Sequence, residues 1–238
     1  MSRARSVLAD LPPGRLAASR YPGTTGAGVR VAVIDSGVHA GHPHVGAVEA
    51  GVSFDAAGRA GTDTVDRLGH GTAVAAAIRE KAPEAAIIPV KVFDRELRAT
   101  VEALVAAITW AVEARVDLIN LSLGTANTAH QGRLGEALVQ AARAGVGLVA
   151  AAEQDATRWL PGSLPLAIGV TLDWECPREE AHVDVTSEGA IRRIRARASG
   201  YPRPIPGVPP AHNLKGISFA VANVSGLLCL HVSHARVP

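Results

Sequence analysis

Cysteine is scarce in this chain: Cys176 and Cys229 stand far apart, form no Cys-x-x-Cys pair, and lack the nearby His or Cys that a zinc site needs. Reduced thiols are the expectation, and no metal or other cofactor is implied. A dominant charge sign is lacking as well. Only 19% of the residues are charged and the formal net charge is +2, too near balance for bulk binding of a polyanion, so nucleic acid is not an implied partner. No stretch of eighteen apolar residues free of charge occurs, so no membrane span is expected. The first thirty residues are basic yet hold no continuous apolar segment of the signal-peptide kind, which makes the cytoplasm the expected compartment.

What is present is apolar and evenly spread. A chain of 238 residues that is 47% apolar can bury one compact core. Residues 1–28, rich in Pro, Gly, Arg and Ala, read as an N-terminal surface arm, and residues 29–238 as a single domain. Short β-branched or near-continuous apolar runs recur at 30–35, 85–93, 116–123 and 146–152, as in strands buried on both faces. Between them lie helical patterns at 70–81, 100–115 and 132–145, with Thr100 as an N-cap and Gly145 as a stop. In the second helix Val101, Leu104, Val105, Ile108 and Val112 recur at helical spacing. This alternation predicts an α/β fold: a mostly parallel β-sheet flanked by helices on both faces, in three α/β/α layers. The Arg- and Pro-rich passage 191–210 is expected as a loop, and 216–232 as a further helix.

Three segments each place one reactive side chain at an element's end, where open α/β sheets bind ligands. In VAVIDSGV (31–38), Asp35 closes a buried strand; alone it reads equally as a turn-capping aspartate. In GHGTAVA (69–75), His70 stands between two glycines at a helix start, although a lone histidine is more often a solvated or core residue. In GISFAVANVSG (216–226), Ser218 occupies the first turn of an apolar helix, where an ordinary N-cap would also sit. Jointly they are far more specific. A serine hydroxyl is a weak nucleophile at neutral pH and needs an imidazole to take its proton and a carboxylate to orient that imidazole. The order Asp, His, Ser is the one found in subtilisin.

On these segments, together with VDLINLSLGT (116–125), the chain resembles the subtilase family from about Gly28 to Val232. The resemblance implies a subtilisin-like fold and a serine endopeptidase using Asp35, His70 and Ser218. It also implies an extended peptide or protein substrate paired with Ser122, Leu123 and Gly124 on one side and Arg98, Ala99 and Thr100 on the other, with Ala152 and Glu153 in the adjoining wall. The family's oxyanion-binding asparagine is matched by Gln154, one methylene longer, and the backbone N–H of Ser218 would be the second donor. Further departures are Ala73 for a second His, Ile217 for Thr, and Ala222-Asn223 for Pro-His. His44 replaces the aspartate that helps hold a family calcium ion, so that site is expected to be missing. Glu153 and Asp155 would favour a basic side chain before the scissile bond if they face the cleft, and are otherwise exposed loop carboxylates.

A compact processing protease acting on a restricted peptide or precursor is the first reading. The alternative is a weak or inactive pseudo-protease that serves as a peptide-binding partner subunit. The early end after the serine helix would leave apolar surface for a homo- or hetero-oligomer to cover.

Overall fold

The computed structural model describes residues 10–236, apart from Ala190. Along the chain lie β1 (Gly14–Ala17), β2 (Arg30–Asp35), β3 (Val52–Phe54), β4 (Ala60–Gly61), α1 (His70–Lys81), β5 (Ala86–Lys91), α2 (Val101–Glu113) and β6 (Leu118–Leu121). There follow α3 (Gln131–Arg143), β7 (Gly147–Gln154), β8 (Thr157–Arg158), β9 (Ile168–Leu172), β10 (Glu180–Glu188), β11 (Ile191–Ala198) and α4 (Ile217–His234). The described strands form one sheet in the order β1-β10-β11-β9-β7-β6-β2-β5-β3-β4, with β8 attached to β7. Its centre, from β11 through β9, β7, β6 and β2 to β5 and β3, is parallel.

The apolar runs become strands because burial on both faces suits them. Val31 and Val33 face a core shared with α1 and α4, whereas Ala32 and Ile34 face one shared with α2 and α3. The layers are therefore α/β/α. Helix α2 is capped by Thr100, whose side chain accepts the Ala103 N–H. Its buried face includes Ala103, Ala107 and Ala111 besides Val101, Leu104 and Ile108, while Val105 and Val112 are only partly buried.

Two expectations are corrected. Residues 1–9 of the expected arm lie outside the described residues, but Gly14–Ala17 pair antiparallel with β10, and Leu11, Leu16 and Tyr21 are buried. This segment is an edge strand packed on the core, with the Arg192 guanidinium donating to the Leu11 carbonyl. The expected loop at 191–210 begins as a strand: β11 pairs with β10 and β9, burying Ile194, Ala196 and Ala198. Its prolines start only at Pro202, beyond the strand, so they remove no ladder donor.

Helix α4 is the one described helix long and apolar enough, by length and composition, to cross a membrane; 83% of it is buried inside this fold, as in a core helix. It packs on α1 and across β6, β7, β9, β10 and β11. Cys176 and Cys229 are both buried free thiols, and burial raises the pKa of each. A polar link ties α4 to β6: Ser225 Oγ donates to Asn120 Oδ1 at 2.9 Å, and Asn120 Nδ2 donates to Ser122 Oγ at 2.8 Å. All three side chains are buried. Ser225→Ala would strand the Asn120 carbonyl, and the expected loss is about 1–3 kcal/mol of unfolding free energy, read by chemical denaturation.

Candidate active site

Asp35 ends β2 with no exposed surface. Its Oδ1 accepts the Ser36 N–H at 2.8 Å and lies 2.7 Å from His70 Nδ1. His70 is the first residue of α1, its side chain 14% exposed, with the Phe219 ring 5.8 Å away. With Nδ1 donating to the carboxylate, Nε2 is left as acceptor, the tautomer that a general base requires.

The approach of α1 to β2 is enforced by a second carboxylate that sequence reasoning passes over. Ser36 Oγ accepts the Gly71 N–H at 2.9 Å and donates to Asp66 Oδ1 at 2.8 Å. Asp66 also accepts the N–H groups of Leu68, Gly69 and Thr72 and the Thr72 hydroxyl, at 3.0, 2.8, 2.8 and 2.6 Å. The loop entering α1 is thus wound around one side chain. Asp followed two residues on by a free N–H is an Asx-turn, which is the signal that could have drawn attention to it. At Gly71 an added Cβ would lie 2.1 Å from the Gly37 carbonyl oxygen, so only glycine lets the helix come this close.

Burial by itself pulls the His70 pKa down, but the hydrogen bond to Asp35 and the charges of Asp35 and Asp66 together outweigh it, so the net shift is upward. Asp66 is itself held below the ordinary carboxylate range: its burial acts upward, and its bonds to Thr72, Ser36 and Leu68 prevail.

Ser218 is presented by the first turn of α4, half-buried, with its hydroxyl donating to the Ser122 carbonyl at 3.1 Å. It points there rather than at His70, so rotation of the hydroxyl is needed to complete the relay. Both side chains open on one cleft of about 270 Å³, with Ser122, Gln154 and Trp159 among its walls. Being in the first turn of α4, the Ser218 N–H has no acceptor within the helix and is free for an oxyanion. The Gln154 amide, expected as the other oxyanion donor, reaches the same cleft but donates to Asp155 Oδ2 at 3.3 Å.

Of the expected substrate residues, Arg98, Ala99 and Thr100 face Leu123 and Gly124 across a second cavity of about 480 Å³. That cavity adjoins the first through Phe93, Leu97, Leu123 and Gly124. Ala152 and Glu153 are not walls of the cleft. A register shift between Ala151 and Glu153 turns Ala151 and Gln154 toward it instead. The Ala152 Cβ lies against Gly169, and Glu153 is exposed and pairs with Arg158. Trp159, which the sequence did not single out, is one of the walls of the cleft.

A serine that shares a cleft with an imidazole oriented by a buried carboxylate, at the carboxyl ends of parallel strands, forms a site suited to nucleophilic acyl transfer on an α/β scaffold. The profile of the subtilase family, peptidase S8, matches residues 26–171, more than half of the chain, and the protein belongs to that family. The match includes Asp35 and His70 and stops short of Ser218. Over 159 residues the chain is 35% identical to the minor extracellular protease Epr of Bacillus subtilis strain 168, covering 61% of this chain and 23% of that protein. Over 243 residues it is 29% identical to subtilisin E of the same strain, covering 98% and 60%. The chain thus spans under two thirds of either relative. In three dimensions it resembles a cold-adapted subtilisin-like serine proteinase (TM-score 0.63, 24% identity, 87% of this chain and 76% of the other). A lanthipeptide protease is similar too (TM-score 0.66, 20% identity, 87% and 74%). At these identities the likeness is one of fold.

Protonated His70 cannot take a proton, so reactivity of Ser218 should fall as pH drops through the His70 pKa. The midpoint is expected above the ordinary imidazole value of 6.5, and Asp66→Asn should move it downward by removing one of the upward contributions. The rate of Ser218 phosphonylation against pH measures both.

Proposed function

We propose that the protein is a serine endopeptidase acting on a restricted set of extended peptides, of the kind presented by a precursor awaiting processing. His70 Nε2 takes the Ser218 proton as Oγ attacks the scissile carbonyl, and Asp35 holds the imidazole and stabilises the imidazolium that forms. The tetrahedral oxyanion is met by the Ser218 N–H and by Gln154 once its amide leaves Asp155. Collapse passes the proton from His70 to the departing amine and leaves an acyl-enzyme; water, activated by His70, then releases the acid. The observation that carries this reading is the 2.7 Å contact of His70 Nδ1 with the buried Asp35, in a cleft shared with Ser218.

The facing segments 98–100 and 122–124 support an extended substrate held by backbone pairing. The small volume beside Ser218 supports a restricted one. A non-catalytic peptide-binding role is not favoured, since binding alone calls for no oriented imidazole next to a serine.

A fluorophosphonate probe should label the purified protein, and Ser218→Ala should abolish labelling while leaving the fold intact by circular dichroism. A folded wild type that stays unlabelled would sink the proposal. For Gln154→Ala, turnover of a cleaved peptide should drop about a hundredfold with little change in KM, because an oxyanion donor acts in the transition state.

A further inference from the structure

The wall of the cleft opposite Gly124 is built by a tight hairpin. β7 ends in Gln154, and the chain reverses through Asp155 and Ala156, both at positive φ (50° and 60°), into β8, with Gln154 paired to Thr157 and Glu153 to Arg158. Two central residues of positive φ make the tight hairpin whose twist suits its strands. The hairpin delivers Trp159 to a fixed place. Its N–H donates to the Ala152 carbonyl at 2.9 Å, and the next residue, Leu160, exchanges two backbone hydrogen bonds with Thr125, at 3.0 and 2.9 Å. Trp159 is therefore clamped between the end of β7 and the segment 122–125.

At Gly124 an added Cβ would lie 3.1 Å from the Trp159 Cβ and 2.8 Å from the Leu160 carbonyl oxygen. The two walls of the slot already touch at this level. Trp159 is half-buried and lines the same cleft of about 270 Å³ as Ser218, His70 and Ser122. A tryptophan is the bulkiest side chain available and has only two rotatable side-chain bonds, so it fills space without yielding it readily.

We propose that Trp159 closes the acyl-side slot next to Ser218, and that the protein selects peptides with a small side chain, Gly, Ala or Ser, immediately before the scissile bond. This rests on the peptidase reading above. Selection is by exclusion: a large side chain meets the indole before its carbonyl reaches Ser218, and a steric clash discriminates more sharply than a missing contact. Glu153 and Asp155 are exposed and are not among the residues lining the cleft.

The test uses two peptidyl diphenyl phosphonates that differ only in carrying an Ala or a Phe side chain on the reacting unit, with rates of Ser218 labelling read by mass spectrometry. Wild type should react at least about a hundredfold faster with the Ala reagent, discrimination within reach of even one misfitting methylene. Trp159→Ala should shrink that ratio tenfold or more by gaining reactivity toward the Phe reagent, and Trp159→Leu should shrink it less. A wild type that prefers the Phe reagent overturns the inference whatever the variants do. So does an unchanged ratio in either variant that still folds. Labelling by the simple fluorophosphonate without labelling by the Ala reagent overturns this inference alone. Failure of the fluorophosphonate itself overturns the peptidase reading and takes this inference with it.

Discussion

A carboxylate without exposed surface at the end of a central strand is the constraint around which the rest is arranged. Burying the Asp35 charge costs several kcal/mol unless hydrogen bonds and a partner offset it. The turn at Ser36 supplies one N–H and His70 supplies the imidazole. To bring that imidazole within reach, α1 must press on the turn after β2, which requires glycine at 71 and a loop tied to Asp66. Removing any of these leaves the buried charge with fewer partners to offset its burial.

The parallel sheet turns this local arrangement into a site. β2, β6 and β7 are neighbours and end on the same side, so Asp35, Ser122 and Gln154 arrive together although far apart in sequence. α1 and α4 lie on one face of the sheet and pack against each other. Their N-termini thereby bring His70 and Ser218 to one cleft, while α2 and α3 cover the opposite face and support segments 98–100 and 122–124. The Ser225–Asn120–Ser122 chain of hydrogen bonds links the serine helix to the strand whose carbonyl accepts the Ser218 hydroxyl. Packing and site geometry are one structure here.

Electrostatics sets the base. Two carboxylates near a largely buried imidazole favour its charged form and outweigh the opposing effect of burial. Asp66 is suited to this second role because its own charge is satisfied by backbone donors. It acts on His70 through position and field.

The sequence alone determined the layered α/β class, the span of α1, and the triad candidates, because each rests on a local signal: an apolar run ending in Asp, a glycine-flanked His at a helix start, a serine at another. It did not reveal that Gly14–Ala17 pair with β10, nor that the Arg-rich stretch is a strand, because an edge strand declares itself only through a distant partner. The alternation of Ile194, Ala196 and Ala198 with arginines was there to read, but the prolines that follow obscured it. Only the tertiary structure decided that Ala151 and Gln154, rather than Ala152 and Glu153, face the cleft, and that Trp159 stands opposite Gly124. A one-residue register shift exchanges the faces of a strand, and nothing in the neighbouring residues records it.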